Sequence, residues 1–140
     1  MTTRILDVGA GDILKREGDF SSIEPILWAA LLETMSAKSA FRRLIGPVIE
    51  KDNVIDFIAN EKDFPRSISH CLNETKQVVS SLPNHQETSL LLDRIRRKVK
   101  RFKSNNSRES SLHKFISSLQ VNLTELDNEI HIKWFVRNTD

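Results

Sequence analysis

The end of the chain carries its longest regular pattern of apolar and polar residues. The apolar residues there recur at intervals of three or four, which places them on one face of a helix. They are Leu112, Phe115, Ile116, Leu119, Leu123, Leu126, Ile130 and Trp134. The pattern predicts a helix from about residue 108 to about residue 136.

Shorter stretches with the same spacing predict further helices upstream. These lie at about 22–35, 37–45, 52–60, 63–82 and 86–103. An apolar stretch at 5–14, broken by glycines, is interpreted as the end of a helix or a short helix. Polar loops are predicted at 16–21 and 104–107.

The predicted helix ends follow from residues that favour starts and stops. Asp52 is expected to cap one helix, because its side chain can accept a hydrogen bond from a free backbone N–H. Asp63 is expected to open another, with Pro65 in the first turn, where a proline is tolerated. Gly46 and Asn84, each next to a proline, are expected to end the preceding helices.

Taken together, these elements predict an all-α fold. Residues 130–136 look locally like a strand, but the helical pattern runs through them. Short polar connections favour an antiparallel helical bundle of about five to seven helices, in a single domain over residues 1–140. Trp28 and Trp134 are predicted in the core or at a bundle end, and Cys71 is predicted to be a buried structural cysteine.

The composition indicates the cellular location expected for this bundle. One cysteine cannot form an internal disulfide, which is typical of a reducing compartment. There is no apolar leader segment at the start and no apolar run of about 20 residues, the length that spans a membrane. We therefore expect a cytoplasmic protein without a membrane partner.

The charge distribution is uneven although the formal net charge is only +2. Residues 94–103 hold seven of the 21 basic residues and no acidic one. A candidate partner-binding face is formed by four of these cations, Arg94, Arg97, Lys98 and Arg101. If this face has a function, the best candidate for its partner is an acidic protein. The plainer interpretation is a solvated face near a helix C-terminus, where cations complement the helix dipole. Nucleic acid is a poor fit, because the run offers no aromatic platform for base stacking and the sequence contains no recognised nucleic-acid-binding motif.

The segment from Asp7 to Gly11 is similar to the first motif of methyltransferases that use S-adenosylmethionine. In that fold the glycines follow a strand and let the backbone approach the cofactor. The rest of the sequence supplies almost no strands for such a sheet, so we expect a helix end and no bound cofactor. A small-molecule-binding enzyme built on this motif remains the alternative function.

A second candidate is an anion-binding site at Arg66 and Ser67. The free N–H groups at a helix start, the guanidinium and the hydroxyl could together hold a phosphate or carboxylate, as a peptide-modifying enzyme would need. Ordinary helix capping, with Arg66 paired to an acid on a neighbouring helix, is the simpler interpretation. No catalytic triad, metal-ligand spacing or Walker-type loop is recognisable, so no catalytic or metal-binding residue is assigned.

Several segments, read in order, resemble the alpha-E family, a bacterial all-helical domain usually found as a tandem duplication. They are Met1–Val8, Trp28–Leu32, Ser39–Arg43, Asp63–Ile68 with Cys71-Leu72, Leu112–Phe115, and Glu129–His131 with Trp134-Phe135. The resemblance is to the C-terminal half of the usual family length. In the family, a Glu-Arg pair lies upstream of the segment that resembles Arg4–Val8, and this sequence contains no Glu-Arg dipeptide.

The resemblance implies a role beside other enzymes. Genes of the alpha-E family occur beside genes for ATP-grasp-type ligases and transglutaminase-like proteins. The resemblance therefore implies a non-catalytic accessory or scaffold subunit in a system for peptide synthesis or modification. A half-length bundle is expected to be incomplete without a partner, because its apolar face stays exposed. A homodimer, a missing N-terminal half, or one of those enzymes would cover it. A truncated remnant without function is a further alternative.

Overall fold

The computed structural model describes residues 1–10, 12–13, 24–102 and 109–136, with the side chains of 109 and 110 left aside. The predicted loop at 16–21, the linker at 104–107, the helix start at Ser22 and the basic residue Lys103 lie outside the described residues. Within the described ranges every regular element is helical, which confirms the all-α prediction.

Seven α-helices follow one another along the described chain. They are α1 (Thr2–Ile5), α2 (Glu24–Thr34), α3 (Lys38–Leu44), α4 (Lys51–Asn60), α5 (Ile68–Ser80), α6 (Gln86–Arg101) and α7 (Glu109–Ile130). A π-helical turn at Leu6–Ala10 extends α1, and another at His131–Phe135 extends α7. The long helix predicted up to about residue 136 therefore changes its hydrogen-bonding pattern after Ile130.

The three longest helices form the antiparallel part of the bundle. Between α5 and α6, Lys76 pairs with Asp93, whereas the earlier Asn73 accepts from the later Arg96. Between α6 and α7, Thr88 donates to Glu129 at 2.9 Å, while Lys98, ten residues later, donates to an earlier residue of α7, Ser118. In both pairs, residues that come later in one helix contact residues that come earlier in the other, so the neighbouring helices run antiparallel.

The core lies where α2, α4, α6 and α7 meet the first π-helical turn. Its largest fully buried side chains come from all of these elements and from α3, which contributes Phe41: Leu6, Trp28, Leu32, Phe41, Phe57, Ile55, Ile58, Leu92, Ile95, Leu112, Ile116 and Leu119. Phe57 packs edge-on against Phe41 and stacks on Phe64, with ring centroids 5.2 and 4.7 Å apart. The predicted apolar faces of α6 and α7 are thus the buried ones, and Trp28 is in the core as predicted.

Two helix starts differ from the prediction. α5 begins at Ile68 with Ser67 as its cap, so Asp63 and Pro65 lie in the turns before it rather than in its first turn. α4 begins one residue earlier than predicted, with Glu50 in the extended cap position and Asp52 inside the first turn. The predicted stops hold: Gly46 has φ of 134° and Asn84 has φ of 56°, values that few other residues adopt.

The prediction that Cys71 is buried is wrong. Its side chain is exposed, and so is that of Val78, which was placed on the same apolar face. α5 instead packs through Ile68, Leu72 and Val79. Because a helix turns about 100° per residue, Cys71 and Val78, each one position before a buried residue, point away from the core.

None of the described helices is both long and apolar enough to cross a bilayer.

Candidate functional site

Helix α6 separates apolar and basic residues onto different faces. Leu92, Ile95 and Val99 are fully buried against the neighbouring helices. The cations between them therefore lie on the remaining surface, where α6 borders α7 on one side and α4 and α5 on the other. Two grooves result, one on each side of this helix.

The first groove, here called the basic groove, lies between α6 and α7 and has a volume of about 550 Å³. Its lining is Arg94, Arg97, Lys98 and Arg101 of α6 together with Asn122 of α7. The structure thus brings together all four of the cations singled out from the sequence. Their spacing of three, four and seven residues is the physical reason, because such positions share one helix face.

Acidic side chains compensate the charge of the basic groove only in part. Arg94 approaches Glu125 of α7 at 3.7 Å, and both side chains are more than half exposed. Lys98 donates to the Ser118 hydroxyl, which is neutral. Arg97 and Arg101 are exposed and form no ion pair with any described residue. A surplus of positive charge therefore faces solvent.

The second groove, here called the polar groove, lies between α4, α5 and α6 and has a volume of about 770 Å³. Polar residues dominate its lining, with two apolar side chains among them: Asp56, Asn60, Lys62, Ser69, Leu72, Asn73, Asp93, Arg96, Arg97, Lys100 and Phe102. Arg97 borders both grooves.

A network of hydrogen bonds orders the wall of the polar groove. The Arg96 Nε donates to Asn73 Oδ1 at 2.8 Å, and its Nη1 donates to Asp93 Oδ1 at 3.0 Å. Lys76 also donates to Asp93. The Lys76 ammonium is the main reason that the pKa of Asp93 lies below its usual value, and Arg96 acts in the same direction while burial opposes it. Asp93 is therefore a carboxylate held between two cations.

Ser67 has the contacts that the capping interpretation predicts, whereas the expected pairing of Arg66 with an acid is wrong in the described part of the chain. The Ser67 hydroxyl accepts from the His70 N–H at 3.1 Å and donates to the carbonyl of Glu61, and its side chain is fully buried. Arg66 donates to the carbonyl of Met35 rather than to an acid. These contacts tie the 61–67 turns to α2, and the anion-binding role of this pair stays a prediction.

The methyltransferase-like segment has the wrong local structure for that motif. Asp7 and Gly9 lie in the π-helical turn Leu6–Ala10, which continues a helix instead of following a strand. A Cβ at Gly9 would lie 2.5 Å from Leu31 Cδ1, so this glycine permits close packing on α2. Gly11 lies outside the described residues.

The residues that α4 and α5 contribute to the lining of the polar groove were not predicted from the sequence. The signal was present in the spacing of polar residues on two consecutive helices. Asn73 and Lys76 are three residues apart on α5, and Asp93 and Arg96 are three apart on α6. Residues so spaced share a helix face, and a tight turn at 81–85 sets the two faces against each other.

In the part of the chain that the structure describes, no three His, Cys, Asp or Glu side chains gather closely enough to hold a metal ion.

Comparison with known families identifies the family of this chain. The model of the Alpha-E family, described as a predicted alpha-helical domain with a conserved ER motif, matches residues 1–135. The chain belongs to the Alpha-E family. No curated protein and no solved structure matches it significantly. This Alpha-E sequence of 140 residues contains no Glu-Arg dipeptide, so neither groove contains the motif in the family's description.

Proposed function

We propose that this Alpha-E protein is a non-catalytic accessory subunit that docks an acidic surface of a partner enzyme through the basic groove. The partner classes are those implied by the family resemblance, an ATP-grasp-type ligase or a transglutaminase-like protein. One observation carries the proposal: Arg94, Arg97, Lys98 and Arg101 converge on one groove and retain surplus positive charge.

The charges in the basic groove suit recognition of a protein surface. Exposed cations steer an acidic partner during encounter and fix its orientation more than they add affinity. Arg97 and Arg101 keep their guanidinium groups free of described carboxylates, so each can form a two-pronged contact with a partner's Asp or Glu. The long helix α7 forms the other wall and gives the surface a rigid border.

The test is a binding measurement with purified proteins. The ligase and the transglutaminase-like protein from the same organism are each titrated with the Alpha-E protein by calorimetry at low and moderate salt. We expect binding to at least one of them, weakening as salt rises because exposed charges are screened over about 10 Å at 0.1 M ionic strength.

Two double variants with equal loss of charge provide the control. R94Q/R101Q removes two cations of the basic groove, and R42Q/R43Q removes two exposed cations of α3. We expect the dissociation constant to rise about tenfold or more for the first and less than about twofold for the second. No binding to either enzyme class, or equal weakening by both doubles, would overturn the proposal.

A further inference from the structure

We propose that the polar groove is a binding site for a small molecule with an oxyanion head, a phosphate or a carboxylate, and an apolar body. This inference goes beyond the docking function, because the polar groove lies on the other side of α6, between that helix and helices α4 and α5.

Arg96 is held in a fixed position in the wall of the polar groove. Two of its three guanidinium nitrogens are held, Nε by Asn73 and Nη1 by Asp93. Asp93 is in turn held by Lys76, so the whole group is anchored across α5 and α6. A guanidinium held in this way has already lost much of its rotational freedom, and its remaining N–H groups can bind an oxyanion at lower entropic cost.

The balance of charges in the polar groove also favours an anionic ligand. Four cations line the groove, Lys62, Arg96, Arg97 and Lys100, against two acids, Asp56 and Asp93. Asp93 is already matched by Lys76 and Arg96. In the described part of the chain, Lys62, Arg97 and Lys100 form no ion pair. The groove therefore has a positive charge that an anionic ligand would neutralise.

The size and the lining of the polar groove suit a small molecule with an apolar body. A volume of about 770 Å³ is within the range of small-molecule sites, roughly 300–1,000 Å³. Leu72 is buried, and Phe102 is fixed by stacking on Phe115, with ring centroids 4.1 Å apart. Phe102, which is half-buried, therefore offers most of the apolar surface beside the cations, and the nearly buried Leu72 adds a small part.

Hydrogen bonds of Asn60 connect the helices that line the polar groove. Its Nδ2 donates to the carbonyl of Val99 at 3.3 Å, and its Oδ1 accepts from the Ser69 hydroxyl at 2.9 Å. Asn60 thereby joins α4 to both α5 and α6 along the groove. The site is thus formed before any ligand arrives, as is usual for small-molecule sites.

The experiment follows the backbone amides by two-dimensional NMR while inorganic phosphate, phenyl phosphate or benzoate is added to the protein. We expect phenyl phosphate to bind more tightly than inorganic phosphate, because its ring can cover Leu72 and Phe102. The shifted amides should include those of Asn60, Asn73 and Arg96. Comparing phenyl phosphate with benzoate then identifies the preferred head group, and saturable binding of either at these residues supports the proposal.

Charge variants separate this site from the basic groove. K62Q/K100Q removes two exposed cations that line the polar groove and not the basic groove, and R94Q/R101Q removes two that line the basic groove and not the polar groove. We expect the first to weaken phenyl phosphate binding about tenfold and the second to change it less than about twofold. A failure of protein docking leaves this result unaffected, so the two proposals can fail separately.

Three results would overturn the inference. The first is the absence of amide shifts with every probe up to about 10 mM, a range that includes weak ligands. The second is equal weakening by both double variants, which would show a general charge effect. The third is a set of shifts confined to the α6 and α7 residues of the basic groove.

Discussion

Gly9 and Leu31 are in such close contact that a single added carbon at Gly9 would lie 2.5 Å from Leu31 Cδ1. Gly9 is in the π-helical turn Leu6–Ala10, and Leu31 is a buried residue of α2. The glycine in this methyltransferase-like segment therefore lets two helical elements approach each other. Its role is packing within the core, and no cofactor is needed to explain it.

Substituting alanine at Gly9 tests this role. Overpacking at a tight contact costs about 1–3 kcal/mol, whereas alanine gains about 1 kcal/mol over glycine in a helix. We expect G9A to lower the free energy of unfolding, measured by urea denaturation. In the L31A background, where the obstructing methyl groups are absent, the same substitution should stabilise the protein. Destabilisation of equal size in both backgrounds would contradict the packing role.

Ser67 offers a test of the capping interpretation. Its hydroxyl accepts from the His70 N–H and donates to the Glu61 carbonyl, so S67A leaves two backbone groups without their partner. We expect the free energy of unfolding to fall by about 1–3 kcal/mol. S80A, at an exposed serine of the same helix, should change it by less than about 0.5 kcal/mol. A neutral S67A would mean that the cap contributes little and would reopen the anion-binding interpretation.

The sequence predicted the helices well where burial determines the pattern. On α6 and α7 the apolar spacing is regular over several turns, and its residues are buried or partly buried. On α5 the same reasoning failed for Cys71 and Val78, because each neighbours a buried residue and spacing alone left the register uncertain by one position. The start of α5 was misplaced for a similar reason: Asp63 and Ser67 are both good capping residues, and tertiary contacts decide between them.

The two grooves differ in how far they could be predicted from the sequence. The basic groove was accessible from the sequence because its four cations lie on one helix with helical spacing. The polar groove required the relative placement of three helices, which no local pattern specifies. Pairs such as Asn73 with Arg96 become visible only when the antiparallel register of α5 and α6 is known.

The exposed position of Cys71 has a direct chemical consequence. A thiol at the surface is accessible to reagents in the native state, whereas a buried one reacts only after unfolding. We expect the native protein to release one equivalent of chromophore per chain with a disulfide reagent, since Cys71 is the single cysteine. The C71S variant is the blank. Reaction that appears only in denaturant would place Cys71 in the core and contradict the structure of α5.

The ion pairs of Asp93 predict how stability depends on pH. Lys76, and then Arg96, hold the pKa of Asp93 below its usual value in the folded protein. A carboxyl group whose pKa is lowered by folding stabilises the protein above its unfolded pKa of about 3.9, and that contribution is lost as the pH falls through the folded pKa. Since all three side chains are about one-third exposed, we expect D93N to cost only about 0.5–1 kcal/mol at pH 7.

This cost should shrink as the pH falls from about 5 to about 2, because wild-type Asp93 then becomes neutral like the asparagine. Urea denaturation of both proteins across this range measures the difference. D127N is the matched control, since Asp127 is exposed on α7 and forms no ion pair with any described residue. A D93N cost that stays constant down to pH 2 would show that the asparagine disturbs packing, and that the charge pairing of Asp93 contributes nothing to the interface of α5 and α6.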